Sequence, residues 1–312
     1  MKGHIDQAEK IMHQALDMAL KDKNQQAVTY IYDQMANMLL RQGKFVEAEI
    51  AFKETLRRLI TSGTEKTDPA VIEISLKLAQ IYSATRRISE AQAGFQWCID
   101  TTEKLILSSV TSSSSSSLPS TQERIDVSEK LPLPTVSETT KTESPSSSSS
   151  SASTAAEPYD IKDLKALLGM CLEAYARFFA KYKKYDDAIV LFTRALSISE
   201  NDLMEDGHPH QETVTILNDL GTVYDLKGDY NKAKDCIRRS AQLAQRLGND
   251  HSLPTIVCNM ASVEAHSGNY TEAQRLYRKA LKQAERQEDS RTVTIIKNKL
   301  AQLETDTLLK KK

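Results

Sequence analysis

The chain has 312 residues, of which 40% are hydrophobic and 27% are charged, so it can bury a substantial core in water. Its formal net charge of -1 provides no global basic field for nucleic acid. No run of apolar residues approaches the length that crosses a bilayer. We therefore expect no nucleic-acid partner, and membrane contact only through a segment outside this sequence.

The first twenty residues carry half of a pattern that recurs downstream. Gly3, Ala8, Met12 and Ala15 have the spacing of a turn followed by an amphipathic helix. The helix that would pair with it precedes Met1, so the spacing predicts a truncated first unit. With that partner absent, Met12 and Leu16 are expected to form an exposed apolar face.

The full pattern consists of two helices separated by a turn. In one unit Leu217, Gly221 and Tyr224 share a helix face at i, i+4 and i+7, with small residues where two helices approach and large ones opposite. This alternation resembles the tetratricopeptide repeat. The pattern is complete in residues 25–60, 68–106, 159–200, 207–247 and 251–286, with turn residues Gly43, Arg86, Lys183, Gly228 and Gly268.

Residues 107–158 differ in kind, because they are dominated by serine and proline. Such a stretch cannot bury enough apolar surface to offset its ordering entropy, so we predict a disordered insertion. It is interpreted either as a phosphorylated or partner-binding linker or as a neutral expansion. The second interpretation is favoured because long loop insertions cost little. Residues 112–156 should then be removable with a short linker and no loss of fold.

The chain ends in one more amphipathic segment, residues 290–307, with Val293, Ile296, Leu300 and Leu303 on one face. Repeat arrays need such a capping helix. The predicted fold is therefore an all-α solenoid of antiparallel helix pairs. It has an N-terminal repeat block (1–106), the insertion (107–158) and a C-terminal repeat block with its cap (159–307).

Motifs for chemistry are missing from the sequence. No H-E-x-x-H, Walker, G-x-S-x-G or paired-glycine motif is present, so we predict a protein that is not an enzyme and takes no cofactor or small-molecule substrate. His208 and His210 are too few ligands for a metal site. Pro209 between them is expected to be the first residue of the next helix.

A groove is the remaining candidate site. In stacked repeats the first helix of each pair lines a groove, and polar residues beside the packing positions point into it. Their mixture of amides, hydroxyls and charges suits an extended peptide or short helix, whereas the alternative is a solvated face. The predicted groove residues are Tyr30, Asp33, Asn37, Arg41, Glu73, Gln80, Glu173, Arg177, Lys181, Asn218, Thr222, Asp225, Asn259, Ser262 and His266.

Two of these residues carry the sharpest expectation. Arg177 and Lys181 are four residues apart on one helix face. We expect them to meet acidic or carbonyl groups of a bound segment, and replacing both by glutamate to leave the fold intact. The alternative is that they pair with neighbours such as Glu173.

Some segments resemble a more specific family. QAVTYIYDQMANM, VIEISLKLAQIY and LLGMCLEAYARF resemble a mitochondrial tetratricopeptide repeat family over residues 1–106 and 160–305. The resemblance implies an inner-membrane protein that takes part in assembling respiratory complex III and in clearing fragments of its Rieske iron–sulfur subunit. Those would be its partners, and no catalytic residue is implied. The alternative is a cytosolic adaptor of the kinesin-light-chain type.

Overall fold

The structure is a computed structural model that describes residues 2–114, 159–204 and 209–309. Within these ranges the chain is helical and contains no β-strand, and no helix is long and apolar enough to cross a bilayer. The helices are α1 (Lys2–Lys21), α2 (Gln25–Arg41), α3 (Phe45–Thr61), α4 (Pro69–Ala84), α5 (Ile88–Ser114), α6 (Ile161–Lys181), α7 (Tyr185–Asn201), α8 (Glu212–Lys227), α9 (Tyr230–Arg246), α10 (Leu253–His266), α11 (Tyr270–Arg286) and α12 (Ser290–Leu309).

The helices form a stack of antiparallel pairs, as the repeated spacing predicts. We call α2, α4, α6, α8 and α10 the A helices, and α3, α5, α7, α9 and α11 the B helices. Each A helix packs against the B helix that follows it, and each B helix packs against the next A helix. The connection inside a pair is a few residues long, which makes neighbouring helices antiparallel. The all-α repeat fold is confirmed.

The turn inside each pair has the same backbone conformation. The predicted turn residues all have positive φ: Gly43 (74°), Arg86 (63°), Lys183 (61°), Gly228 (91°) and Gly268 (89°). A left-handed residue at this point ends the A helix and reverses the chain. Arg86 and Lys183 adopt the conformation without being glycine, which costs backbone energy.

Small residues let the paired helices approach closely. A Cβ atom on Gly221 would lie 2.5 Å from Cγ1 of Ile237 and 3.1 Å from the carbonyl oxygen of Ala233. Ala233 and Ile237 are themselves fully buried. The glycine at this A-helix position is therefore required by the contact between α8 and α9.

The A helices of the units 68–106 and 159–200 begin at aspartate caps. Oδ1 of Asp68 accepts the backbone N–H of Ala70 at 2.8 Å, and Pro69 is the first residue of α4. Asp160 caps α6 in the same way. Each cap satisfies a backbone donor that has no partner within the helix.

The prediction for Pro209 is wrong. α8 begins at Glu212, not at Pro209. The His210 carbonyl accepts the Thr213 N–H at 3.0 Å, and its ring Nδ1 accepts the Glu212 N–H at 3.3 Å. These bonds form a separate turn that precedes the helix. Gly207 and His208 lie outside the described residues.

The prediction for the apolar face of α1 is also wrong. Leu16 is only 9% exposed, and Met12 is half-buried beside it. Both belong to a cluster with Val28 and Met35 of α2. The physical reason is that a helix in the B position also presents its apolar face to the A helix of the following unit.

The stack continues from the helices before the predicted insertion to those after it. The ring of Phe95 on α5 stacks on Tyr175 of α6, with centroids 5.4 Å apart. The Tyr159 hydroxyl donates to Oδ2 of Asp68 at 2.8 Å.

The predicted start of the disordered insertion at residue 107 is wrong, because α5 extends to Ser114. The hydroxyls of Ser108, Ser109 and Thr111 donate to carbonyl oxygens of their own helix, which is compatible with helical backbone. Residues 115–158, the rest of the predicted insertion, lie outside the described part of the chain.

The last helix covers the open end of the stack. α12 buries Ile296 and Leu303 in a cluster with Tyr277 and Ala280 of α11, and Val293 and Leu300 pack at its edge. This is the capping helix that the sequence predicts.

Candidate protein-interaction groove

The predicted groove residues all lie on A helices. We call the side of the stack that they occupy the A-helix face. Eight of them line three clefts along this face, and most of the others form hydrogen bonds or ion pairs within the protein. The clefts are named by their place in the chain.

The N-terminal cleft lies between α2 and α4, with the C-terminal half of α3 as its floor. Its volume is about 810 Å³. It brings together Tyr30, Asp33 and Glu73 of the prediction. Tyr30 is 66% exposed, which is unusual for a large aromatic side chain without a partner to cover it.

The floor of the N-terminal cleft adds two arginines that the sequence analysis missed. Nε of Arg58 donates to Glu54 at 2.7 Å, and its guanidinium lies 5.1 Å from the ring centroid of Tyr32. Arg57 also donates to Glu54, and this hydrogen bond is the main reason that the pKa of the Glu54 carboxyl is lowered. The helix register of α3 could have identified them, because both follow its packing residue Thr55.

The middle cleft lies where α4 meets α6. It has a volume of about 340 Å³ and contains Gln80, Arg177 and Lys181 beside Phe95 and Phe178. Its two cations are engaged within the protein.

Arg177 and Lys181 are bonded to neighbours within the protein, which is the alternative that the sequence left open. The Arg177 guanidinium donates to Oε2 of Glu173 and to Oδ2 of Asp219, both at 2.7 Å. The Lys181 ammonium donates to the carbonyl oxygen of Ser83 at the end of α4. The expectation that glutamate at both positions leaves the fold intact is therefore withdrawn, because it would set new carboxylates against Glu173 and Asp219.

Glu173 is the most perturbed carboxyl group on this face. Only 7% of the residue is exposed. Burial raises its pKa to about 7, with the charges of Glu212 and Asp219 acting in the same direction and Arg177 opposing them. Burial disfavours the charged form, so Glu173 changes charge near neutral pH.

Hydrogen bonds between α8 and α10 hold the next part of the face together. Asn259 donates to Oδ1 of Asn218 at 3.0 Å, and Nδ1 of His266 lies 2.8 Å from Oδ2 of Asp225. The Thr222 hydroxyl donates to the backbone of its own helix. Asn218 and Asp225 are buried, so they are positioned to link two repeats.

The C-terminal cleft lies between α10, α11 and α12. It has a volume of about 460 Å³ and contains Ser262 and His266 of the prediction. It also contains Lys299, which the sequence analysis did not consider because it lies on the capping helix. Nζ of Lys299 donates to Oγ of Ser262 at 2.8 Å.

Seven predicted residues lie outside all three clefts: Asn37, Arg41, Glu173, Asn218, Thr222, Asp225 and Asn259. Asn37 donates to the carboxylate of Asp33 at 2.9 Å, and Arg41 is exposed at the end of α2. No group of three or more His, Cys, Asp and Glu side chains is arranged to hold a metal ion in the described ranges.

Comparison with known proteins identifies the family. The human protein named tetratricopeptide repeat protein 19, mitochondrial, is 34% identical over 303 residues, which is 97% of this chain and 68% of the human protein. The chain belongs to the tetratricopeptide repeat protein 19 family. The tetratricopeptide repeat profile matches residues 169–246, which span most of α6 through α9. The resemblance that the sequence segments indicate is confirmed.

Solved structures share the fold of this family member. BtubC (BKLC) from P. vanneervenii superposes with a TM-score of 0.58 at 16% identity, covering 92% of each chain. Aspartyl phosphate phosphatase F from Bacillus subtilis superposes with a TM-score of 0.60 at 14% identity, covering 90% of this chain and 57% of that one. At these identities only the architecture carries over. The chain is thus a tetratricopeptide repeat protein of the kind that serves protein interaction, with relatives named mitochondrial.

Proposed function

We propose that this chain is a non-enzymatic scaffold at the mitochondrial inner membrane that assists assembly of respiratory complex III. It would hold segments of the Rieske iron–sulfur subunit, including fragments that must be cleared. Family membership over 97% of the chain supports this role over a cytosolic adaptor of the kinesin-light-chain type. The specific partners follow from the family resemblance described above.

The observation that carries the interaction role is the N-terminal cleft. Its volume of about 810 Å³ lies in the range of ligand-binding pockets, which is enough for several side chains of a short peptide segment. Exposed Tyr30 provides an aromatic anchor, and aromatic and arginine residues dominate the binding energy of many interfaces. Arg57 is also exposed; it is paired with Glu54 of its own helix, and because this pair is solvent-exposed it holds Arg57 only weakly at the edge of the cleft.

The rest of the A-helix face contributes less to the proposed binding. Arg177, Asn218, Asp225 and His266 already have charged or amide partners within the protein. A ligand would have to displace these bonds, and the exchange would gain little free energy. We therefore place the principal contact in the N-terminal cleft.

The test uses cells that lack the protein. They are complemented with the wild-type chain, with the double variant Tyr30→Ala, Arg57→Ala, or with Ile50→Ala as a control. Ile50 is an exposed residue of the same helix α3 that does not line the cleft. Complex III activity and co-purification of Rieske fragments are measured in each line.

We expect the double variant to fold like the wild type, because both side chains are exposed, and to lose at least tenfold in fragment capture, as for an interface anchor. Ile50→Ala should restore activity fully. If the double variant captures fragments and restores complex III as well as the control does, the N-terminal cleft is not the binding site.

A further inference from the structure

Lys299 on α12 carries a charge that has no carboxylate partner within the described residues. Its side chain is half-buried, and its ammonium donates to the Ser262 hydroxyl. Two other half-buried lysines are paired with acids of A helices: Lys77 of α4 with Glu73, and Lys234 of α9 with Glu264 of α10 at 2.8 Å. A partly desolvated ammonium with only a neutral partner is poised to take an anion.

The donors around Lys299 converge at the floor of the C-terminal cleft. Ser262 and Tyr277 are buried, and their hydroxyl oxygens lie 2.9 Å apart. Lys299 donates to the same Ser262 oxygen. Three polar groups from α10, α11 and α12 thus meet at one point. The Ser262 hydroxyl also donates to the carbonyl oxygen of Cys258 at 3.2 Å, so the donor that remains for an anion is the Lys299 ammonium, which has three protons.

The cleft is also large enough for an occupant. Its volume of about 460 Å³ exceeds the space that one carboxylate side chain needs, and Ala265 and Leu303 give it apolar walls. It opens beside His266, at the end of the A-helix face. An aspartate or glutamate side chain can reach its floor while the main chain of a bound segment stays at the rim.

We propose that the C-terminal cleft binds the side-chain carboxylate of an acidic residue in a partner polypeptide. Lys299 supplies the charge-assisted hydrogen bond to the anion, and the Ser262 hydroxyl, which is held by Tyr277, positions the ammonium by accepting from it. This inference rests on the proposed function only in that the acidic residue belongs to a segment held on the A-helix face. The binding of the carboxylate itself is a separate property and is tested separately.

An acid at the rim of the cleft opposes this binding. Asp306 lies at the rim of the same cleft and has no ion pair with Lys299. Its negative charge should weaken the binding of a carboxylate in the cleft, because the two like charges repel each other through the intervening solvent. Removal of that charge should therefore strengthen binding, and this gives a second test that leaves Lys299 in place.

The experiment titrates the full chain with three small probes and follows backbone amide shifts of the C-terminal cleft by nuclear magnetic resonance. N-acetyl-glutamate amide carries one side-chain carboxylate. N-acetyl-glutamine amide is its neutral counterpart, and N-acetyl-glutamine with a free terminus carries only a terminal carboxylate. The variants are Lys299→Met and Asp306→Asn, with Lys297→Met as the matched control. Lys297 lies on the same helix but pairs with Glu285 at 3.5 Å.

We expect N-acetyl-glutamate amide to bind with a Kd of roughly 1 mM, as befits a single charged contact. The neutral probe and the Lys299→Met variant should each weaken binding by about tenfold. Asp306→Asn should strengthen it by about two- to threefold, and Lys297→Met should leave it unchanged. Lys299→Met should also unfold at the wild-type temperature, because it keeps the aliphatic stem and removes an unpaired charge.

Equal binding of the neutral probe, or unchanged binding to Lys299→Met, would overturn the proposal. If the probe with a free terminus binds more tightly than N-acetyl-glutamate amide, the proposal is also overturned, because the cleft would then bind a C-terminal carboxylate and not a side-chain carboxylate. A lower unfolding temperature for Lys299→Met with unchanged shifts would make Lys299 a structural residue. If the Tyr30→Ala, Arg57→Ala variant captures fragments normally, the proposed function is contradicted. The titrations would still test carboxylate binding in the C-terminal cleft.

Discussion

At the scale of single residues, Glu173 has the least common environment on the A-helix face. Its folded pKa of about 7 lies above the ordinary carboxyl value of 4.5. The folded state therefore holds the proton more tightly than the unfolded chain does. The stability that this provides is fully present below the unfolded pKa, and it is lost as the pH rises through the folded pKa.

We predict that Glu173→Gln stabilises the protein at about pH 8 and has little effect at about pH 4, below the unfolded pKa of the carboxyl. Glutamine mimics the protonated carboxyl and removes the cost of burying its charge. The difference in unfolding free energy should grow to at most about 3 kcal/mol as the pH rises. Denaturant unfolding of both proteins across this pH range measures it.

The matched control is Glu73→Gln, because Glu73 is an exposed glutamate of an A helix. Its effect on stability should not change with pH in the neutral range. If Glu173→Gln and Glu73→Gln show the same flat profile, the carboxyl of Glu173 is charged throughout, and its pairing with Arg177 outweighs its burial.

Lys183 is a second residue-scale case, because it is held at a φ of 61° and its side chain is exposed. Lys183→Gly should raise the unfolding free energy by about 1 kcal/mol, since glycine adopts this conformation without the Cβ penalty. Lys183→Ala keeps the penalty and should be neutral. Equal stability of both variants in denaturant unfolding would show that the turn is not strained.

At the scale of helices, two glycines make opposite predictions. A Cβ atom on Gly221 would collide with Ile237, whereas one on Gly169 in α6 meets nothing within 4 Å. Gly221→Ala should destabilise the protein by about 1–3 kcal/mol through overpacking. Gly169→Ala should stabilise it by about 0.5–1 kcal/mol, because alanine is the better helix former.

Thermal unfolding of the two glycine variants provides the measurement, and each serves as the control of the other. Destabilisation by Gly169→Ala would mean that α6 is packed more tightly than its geometry indicates. A neutral Gly221→Ala would show that α9 can move away from α8 without loss of free energy.

At the scale of the whole molecule, the stack does not depend on the predicted insertion for its contacts. α5 and α6 pack directly through Phe95, Tyr175 and Phe178. Arg194 of α7 is paired with Glu103 of α5, and Lys181 reaches α4. Residues on both sides of the insertion thus belong to one core cluster.

We predict that replacing residues 112–156 by a flexible linker of about ten residues preserves the fold, since a long loop contributes little to stability. Circular dichroism should show the helical signal of the α1–α12 stack, and unfolding should remain a single transition. A large loss of helicity would show that the segment is structural. Separate transitions for the two repeat blocks would show that the α5–α6 contact is weak.

The sequence alone was sufficient for the existence of the paired helices and for placing the predicted groove residues on the A helices. Each A helix carries its small and large residues at fixed spacing, and packing between adjacent helices is a local property of that spacing. In the unit at residues 251–286, Glu264 occupies the position that Tyr224 has in the unit at residues 207–247, and the structure shows what it does there. Its carboxylate bonds Lys234 of α9 at 2.8 Å, and an ion pair replaces the missing ring contact.

Only the tertiary structure decided which of the groove residues are free to bind. Arg177 bonds Asp219, 42 positions away, and His266 bonds Asp225, 41 positions away. Such partners come from the neighbouring repeat, and the register between repeats depends on how whole helices stack. The same holds for Lys299, whose unpaired charge is visible only once α12 lies against α10. Spacing within one helix determines the face on which a side chain lies. Contacts between repeats determine whether that side chain already has a hydrogen-bond or ion-pair partner within the protein.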